Sequence, residues 1–306
     1  MAQKNNEISL KGKMDNWGPF GEKEGKWLIF SIGNPEEGHG YALPRIMDDL
    51  FAQRAAHLIS CKSGARYVAH IPWATDNFVS VARDWAPRII TVKDCVENIK
   101  KFLKYHMEIF EHMGLPASKI LILSGHGGNN PLHAYVDEIK NDLTLEKLIM
   151  APSEGLADDN MDRILKELEE LSLKLATEKE DARKIKRTLL KILTSAGHAG
   201  HFEHSVAAAL GILDEEKLKI MNMELEKDFE VALQKWPPIG GLGGFLMAGG
   251  KYVKAIGTKE TDKEGLWNCL KTLRKLDGGK IKPIKELGEL VINLLVEYYS
   301  EMILNE

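Results

Sequence analysis

The chain lacks most of the features that assign a protein to a class at first sight. Only three cysteines occur in 306 residues (Cys61, Cys95 and Cys269), far apart and odd in number. That excludes a disulfide framework and a thiolate metal knuckle, and it leads us to expect a reduced, cytoplasmic setting. An excess of charge of one sign is missing too, with 41 basic residues against 45 acidic ones and a formal net charge of −4. So even a mixture leaves no electrostatic footprint for nucleic acid or an anionic membrane. No apolar run approaches the ~20 residues that span a bilayer. The opening stretch, MAQKNNEISLKGKMDNWGPF, has no apolar segment of the kind a signal peptide carries. What is present is ordinary for a globular chain, 44% hydrophobic and 28% charged, and long enough for a large core.

Strand and helix patterns alternate along the first half. KWLIFSIG (26–33), RYVAHIPW (66–73) and KILILSG (119–125) read as strands. The last is apolar throughout, as suits a strand covered on both faces in a parallel sheet. Between them, 41–59 carries Leu43, Ile46, Leu50 and Ala55 at helical spacing. Residues 92–114 place Val96, Ile99, Phe102, Leu103, Met107 and Phe110 on one face, with Gly114 as the stop. The alternation predicts an α/β fold with layers of helix, mainly parallel sheet and helix. We read 1–306 as a single domain. Residues 156–192 are charge-dense, with Leu165, Leu168 and Leu171 at i, i+3, i+6, and are expected to form one or two amphipathic surface helices, an insertion or an oligomer contact, read as a solvated arm without chemistry. The Gly/Pro-rich stretch 235–252 has a G-x-G without a preceding strand, so it is read as a loop, a cover over the active site or else a plain irregular connection, and not a nucleotide fingerprint. The stretch 284–304 is expected to be an amphipathic packing helix.

Two of the strands run into glycine-flanked polar loops. LIFSIG leads to Glu37-Gly38-His39-Gly40, and ILILSG leads to His126-Gly127-Gly128-Asn129-Asn130. Open α/β sheets bind ligands beyond the carboxyl ends of their strands, so these loops can converge on one cavity. Asp48 follows His39 by nine residues. A third cluster, GHAGHFEHS (197–205), places His198 before a helix and Glu203 in its first turn. Carboxylates and imidazoles without thiolates suit a catalytic site for Zn, Mn or Fe. The scattered His57, His70, His106, His112 and His133 are expected to be surface or hydrogen-bonded residues. Glu36 and Asp49 are expected to be solvated neighbours of the ligands.

Together the clusters resemble the motifs of the creatininase superfamily of metal-dependent hydrolases. Its E-x-H-G-x-x-L-P-x-x-x-D motif reads here as Glu37 through Asp48, SGHGGN surrounds His126, and His198 to Ser205 match the H-A-G-x-x-E-T-S motif. The order and spacing agree over roughly residues 25–270. Departures are Gly128 where creatininase has a glutamate, His204 in place of threonine, and Asn34-Pro35 ahead of the first ligand. The resemblance implies that Glu37, His39, Asp48, His126 and Glu203 hold one or two divalent ions. It also implies that His198 moves protons, and that the chain assembles as a homo-oligomer, in many members a hexamer. It further implies a hydrolase that opens a small polar cyclic substrate. The pattern is most similar to 3-dehydro-scyllo-inosose hydrolases, which break a C–C bond of a diketo-inositol in inositol catabolism. The alternative is an amidohydrolase acting on a cyclic amide or formamide. Trp73, Asp76 and His201 are candidates for substrate contact, with Asn77 and Trp85 nearby. Basic residues near the motifs are few (Arg45, Lys62, Arg66 and Arg88), and no phosphate-binding loop is visible.

Overall fold

The computed structural model describes residues 26–76, 82–83, 85–152, 155–177, 179–195, 198–236 and 279–306. Asn77 and most of the 235–252 loop lie outside these residues. Four parallel strands form the sheet: β1 (Trp27–Ile32), β2 (Arg66–Ile71), β3 (Lys119–Ser124) and β4 (Lys147–Ala151), in the order β2-β1-β3-β4. The helices are α1 (Met47–Ser63), α2 (Val92–His112), α3 (Val136–Asp142), α4 (Gly155–Leu175), α5 (Lys179–Ser195), α6 (His201–Leu210), α7 (Glu215–Lys227), α8 (Phe229–Lys235) and α9 (Lys285–Leu304). A 3-10 turn over Gly127–Tyr135 joins β3 to α3.

Side chains alternate across a strand, and here both faces of the central strands are covered. Trp27 and Ile29 of β1, with Leu121 and Leu123 of β3, pack with α1, α6 and α9 through Ala55, Ile59, Val206, Ile292 and Tyr299. Leu28, Phe30 and Ile32, with Ile120 and Ile122, pack instead on α2 and α3 through Val96, Ile99, Leu103 and Ile139. All six residues of β1 and of β3 are buried, whereas β2 and β4 at the edges are partly open. Each large apolar side chain fully buried this way contributes ~1.5–3 kcal/mol. The layered α/β fold expected from the strand–helix alternation is therefore the one observed.

Three details differ from expectation. The first helix begins at Met47, not 41. Residues ahead of it are held as a loop instead, with the Glu37 N–H donating to the Arg45 carbonyl at 2.9 Å and Pro44 disfavouring helix at the residue before it. The helix runs on to Ser63, where Gly64 takes φ 76 and donates its N–H to the Ser60 carbonyl. The charge-dense segment forms two helices, α4 and α5, and they are not a solvated arm. Leu168, Leu171, Leu189 and Ile192 bury against Leu287 of α9, with Phe202 of α6 beside them. The short strand β4 was not anticipated, because Lys147 and its acidic flank break the apolar run around LIMA. No helix among the described residues is long and apolar enough to cross a membrane.

Candidate metal centre

The strand order reverses at β1 and β3. Connections leave these two neighbours toward opposite sides of the sheet, which opens a crevice beyond their carboxyl ends. The loop after β1 brings Glu37 and His39 there, and the loop after β3 brings His126. Asp48 enters from the first turn of α1, which lies directly over both strand ends. That close approach needs glycine. A methyl group on Gly125 would collide with the Asp48 carbonyl, and one on Gly33 with the backbone at Asp48 and Asp49.

Glu203 comes from the first turn of α6. Its Oε2 accepts the Ala199 N–H at 2.5 Å, across a loop where Ala199 holds a left-handed φ of 52. A non-glycine residue there is strained, which fits a backbone bent to present its neighbours. Ser205 anchors the same helix, its hydroxyl accepting the Ile284 N–H at 2.9 Å just before α9.

The side chains converge tightly. Asp48 spans two imidazoles, with Oδ1 3.1 Å from His39 Nε2 and Oδ2 2.9 Å from His126 Nδ1. Glu37 Oε2 lies 3.0 Å from that same His126 Nδ1 and accepts from Asn34 Nδ2 at 2.9 Å. Glu203 Oε2 is 3.9 Å from His39 Nε2. His198 sits at the rim, its Nε2 donating to the Gly38 carbonyl at 2.8 Å and lying 3.6 Å from Glu37 Oε1. Its Nδ1 is 3.8 Å from Glu203 Oε1, and its ring is 4.5 Å from that of His39. Glu37, His39, Asp48 and His126 are all buried.

So many carboxylates in a buried pocket demand positive charge. Burial works against an imidazolium at His39, yet Asp48 and Glu203 outweigh it and lift its pKa to about 10. His126 is likewise raised well above its ordinary value, burial being overcome by Glu37 and Asp48. Burial also acts against the Asp48 carboxylate, but the two histidines hold it well below the usual range. Glu203 moves up, mainly through burial. Protons on the imidazoles thus occupy the place of a cation. One nitrogen of His126 faces two carboxylates, although a single N–H cannot serve both fully. Donor atoms of Glu37, Asp48 and His126 lie within 4.8 Å of one another, as do those of His39, Asp48 and Glu203, and those of Glu37, His39 and His198. Asp48 belongs to the first two sets, and Glu37 and His39 link each of these to the third. The residues therefore fit a divalent metal.

Among the substrate candidates, Asp76 reaches the edge of the cluster, its Oδ2 3.9 Å from His126 Nε2. Trp73 packs on the sheet core, edge-on to Phe102 with ring centroids 5.7 Å apart. His201 is buried in the first turn of α6, beside His204. His204 donates its Nδ1–H to the Gly200 carbonyl at 2.9 Å, and burial lowers its pKa to about 4. Glu36 is partly open and sits 3.5 Å from Arg45, as a solvated neighbour should. Asp49 is different. It is buried, with Oδ1 3.0 Å from His70 Nε2, and His70 in turn meets the Ser31 hydroxyl at 2.8 Å.

Two asparagines escaped the sequence reading. Asn34 orients Glu37. Asn129 donates to the Gly33 carbonyl at 3.0 Å and accepts the Thr75 N–H at 3.0 Å, tying three loops of the site together. The position of Asn129 within SGHGGN was the available signal, and it reads as turn chemistry until the partners are known.

No protein-family model matches the chain. Among curated proteins, it is 27% identical over 251 residues to the 2-amino-5-formylamino-6-ribosylaminopyrimidin-4(3H)-one 5'-monophosphate deformylase of Methanothermus fervidus, covering 81% of this chain and 77% of that one. It is 28% identical over 212 residues to the enzyme of the same name from Methanobrevibacter ruminantium, covering 67% of each. Among solved structures, creatinine amidohydrolase (creatininase) superposes with a TM-score of 0.50 at 14% identity, covering 91% of this chain and 89% of that one. A point mutant of creatininase gives a TM-score of 0.50 at 12% identity, covering 91% and 90%. The chain has the creatininase fold.

Proposed function

We propose that the chain is a metal-dependent amidohydrolase that cleaves the C–N bond of a formamide or cyclic amide. The observation that carries this reading is the pair of adjoining ligand sets sharing Asp48, with His198 at their open rim. Of the two activities implied by the sequence resemblance, the similarity to deformylases favours the amide over the C–C bond of a diketo-inositol.

Glu37, His39, Asp48, His126 and Glu203 would hold the ion or ions, and a mixed imidazole and carboxylate set suits Zn or Mn. Such an ion, when bound, supplies Lewis acidity toward a carbonyl and acidifies water. Asn34 fixes one oxygen of Glu37, and Asp48 is held from both sides, so these ligands are oriented before anything binds. His198 is half-buried, with Nε2 committed to the Gly38 carbonyl and Nδ1 toward Glu203. We assign it the proton that goes to the leaving nitrogen, carried on the Nδ1 edge that the Gly38 bond leaves over, because an amine departs only once protonated.

The test is turnover of a panel containing a formylaminopyrimidine ribonucleotide, simple formamides, cyclic amides and the diketo-inositol, with the chain loaded with Zn or Mn. Amide turnover that disappears on chelation is expected. His198→Ala should keep its metal and lose ~100-fold or more in kcat. Turnover of the diketo-inositol alone, or amide turnover that survives complete metal removal, would overturn the reading.

A further inference from the structure

Beside the metal centre lies a cavity of about 560 Å³ whose chemistry does not match a polar or phosphorylated substrate. Its inner end is formed by His126, Gly127 and Glu203, so it is continuous with the ligand cluster. Its helical walls are mostly apolar, with Asn160 on α4 as an exception. Met161 and Ile164 come from α4, Leu190 and Leu193 from α5, Phe202 from α6 and Leu294 from α9. Among the described residues, the ionisable ones that line it are His126 and Glu203, no lysine or arginine does, and Ser124, Asn130 and Asn160 are the uncharged polar ones. A phosphate or a polyol placed against the helical walls would give up its water for hydrocarbon, with no cationic partner among these residues to offset the loss. The volume is in the range of pockets that enclose a drug-sized molecule.

We infer that the substrate carries an extended apolar group on the amide nitrogen, and that α4 and α5 form the pocket that selects it. This rests on the amidohydrolase reading above. In a formamide the carbonyl side ends in hydrogen, so the whole bulk of the molecule lies beyond nitrogen and has the cavity to occupy. The reaction takes water and R–NH–CHO to R–NH2 and formate. The C–N bond breaks, a C–O bond forms, one proton ends on the amine nitrogen and another leaves the new carboxyl group. The helices that look like an insertion without chemistry are on this view the specificity element. Met161 is the wall residue best suited to probing this. It is 43% exposed, so a polar substitution there leaves the packed helix interface undisturbed.

The experiment measures binding of formanilide, 4-butylformanilide and ribose 5-phosphate by calorimetry, on the full chain both metal-loaded and metal-free, and then deformylation of the two anilides. Four methylenes entering an apolar wall should tighten 4-butylformanilide over formanilide by at least about tenfold in both metal states. A negative heat-capacity change should accompany it. Ribose 5-phosphate should not compete. Met161→Glu should erase most of the butyl increment with metal content unchanged, and Met161→Leu should retain it. Tight, Met161-dependent binding without turnover of any amide would uphold the pocket and remove the amidohydrolase reading. Turnover of the formylaminopyrimidine ribonucleotide with no binding of 4-butylformanilide would do the reverse and overturn this inference. Probe affinity that falls as protein concentration rises would show that a second copy of the chain fills the cavity, and would overturn it as well.

Discussion

At the amino ends of β3 and β4, Lys119 lies 3.3 Å from Glu146 and 3.2 Å from Glu306, and Lys147 also pairs with Glu306. At the carboxyl ends of β1 and β3, Glu37, Asp48 and Glu203 crowd around His39, His126 and His198. The same sheet thus carries charge at both ends, but under different conditions. At the amino end each carboxylate has an ammonium partner and its outer edge in water, so the charges balance and are screened. At the carboxyl end Glu37 and Asp48 are buried and Glu203 half-buried, with no lysine or arginine paired to them among the described residues, and the histidines must hold extra protons to balance them. One end is a set of settled ion pairs around a buried Lys119. The other is a site that a cation completes.

This contrast can be broken most severely at Asp48, the candidate ligand that spans His39 and His126. Asp48→Asn keeps the size of the side chain and removes the charge, so metal affinity should fall by more than ~100-fold while the circular dichroism spectrum stays the same. Metal content unaffected by this change would end the assignment of Asp48. Gly125→Ala tests the packing that puts Asp48 in place. It adds no charge and lies in no ligand, yet the new methyl group meets the Asp48 carbonyl. A loss of metal affinity of ~10-fold or more is expected. If affinity is unchanged, the close approach of α1 to the strand ends is dispensable.

A smaller effect is read from pH. His39 has a folded pKa near 10, above its unfolded value, so its contribution to stability in the metal-free chain is fully present below about pH 6.5. Above that, the native state binds more protons than the unfolded one, and stability declines as pH rises through about 10. His204 has the opposite sign. With a folded pKa of about 4 its contribution is present above pH ~6.5 and is lost as pH falls toward 4. Thermal melts of the chelated chain should therefore peak in the mildly acidic to neutral range. Metal, which displaces the His39 proton, should flatten the alkaline limb. An alkaline limb identical with and without metal would contradict the view that protons occupy the cation's place.

The smallest effect belongs to the other end of the sheet. Lys119→Ala should leave metal content and turnover unchanged, with only a slight loss of stability that high salt masks. A change in metal affinity from this substitution would mean that the two ends are coupled, and the comparison would fail.

Much of the site was legible because its signals are local. Glu37, His39 and Asp48 lie in one loop and the helix after it, His126 follows a strand apolar throughout, and His198 and Glu203 flank a helix start. Strand and helix periodicity was equally readable in β1, β3 and α2, where one face or both are apolar without interruption. Asp49 shows the limit of such reading. Next to a ligand and charged, it looked solvated, and only the approach of α1 to β2 reveals that it is buried against His70.

The residues by themselves determined the α/β alternation, the carboxylates and imidazoles of the candidate site and the loops that carry them, because each follows from spacing along a few consecutive positions. Tertiary structure alone decided the strand order that brings the β1 and β3 loops to one crevice. It also decided the roles of Asn34 and Asn129 as positioners, and the use of α4 and α5 as the wall of a cavity. Those depend on contacts between segments far apart in the chain. An amphipathic pattern says that a helix has an apolar face, but not which neighbour that face will meet.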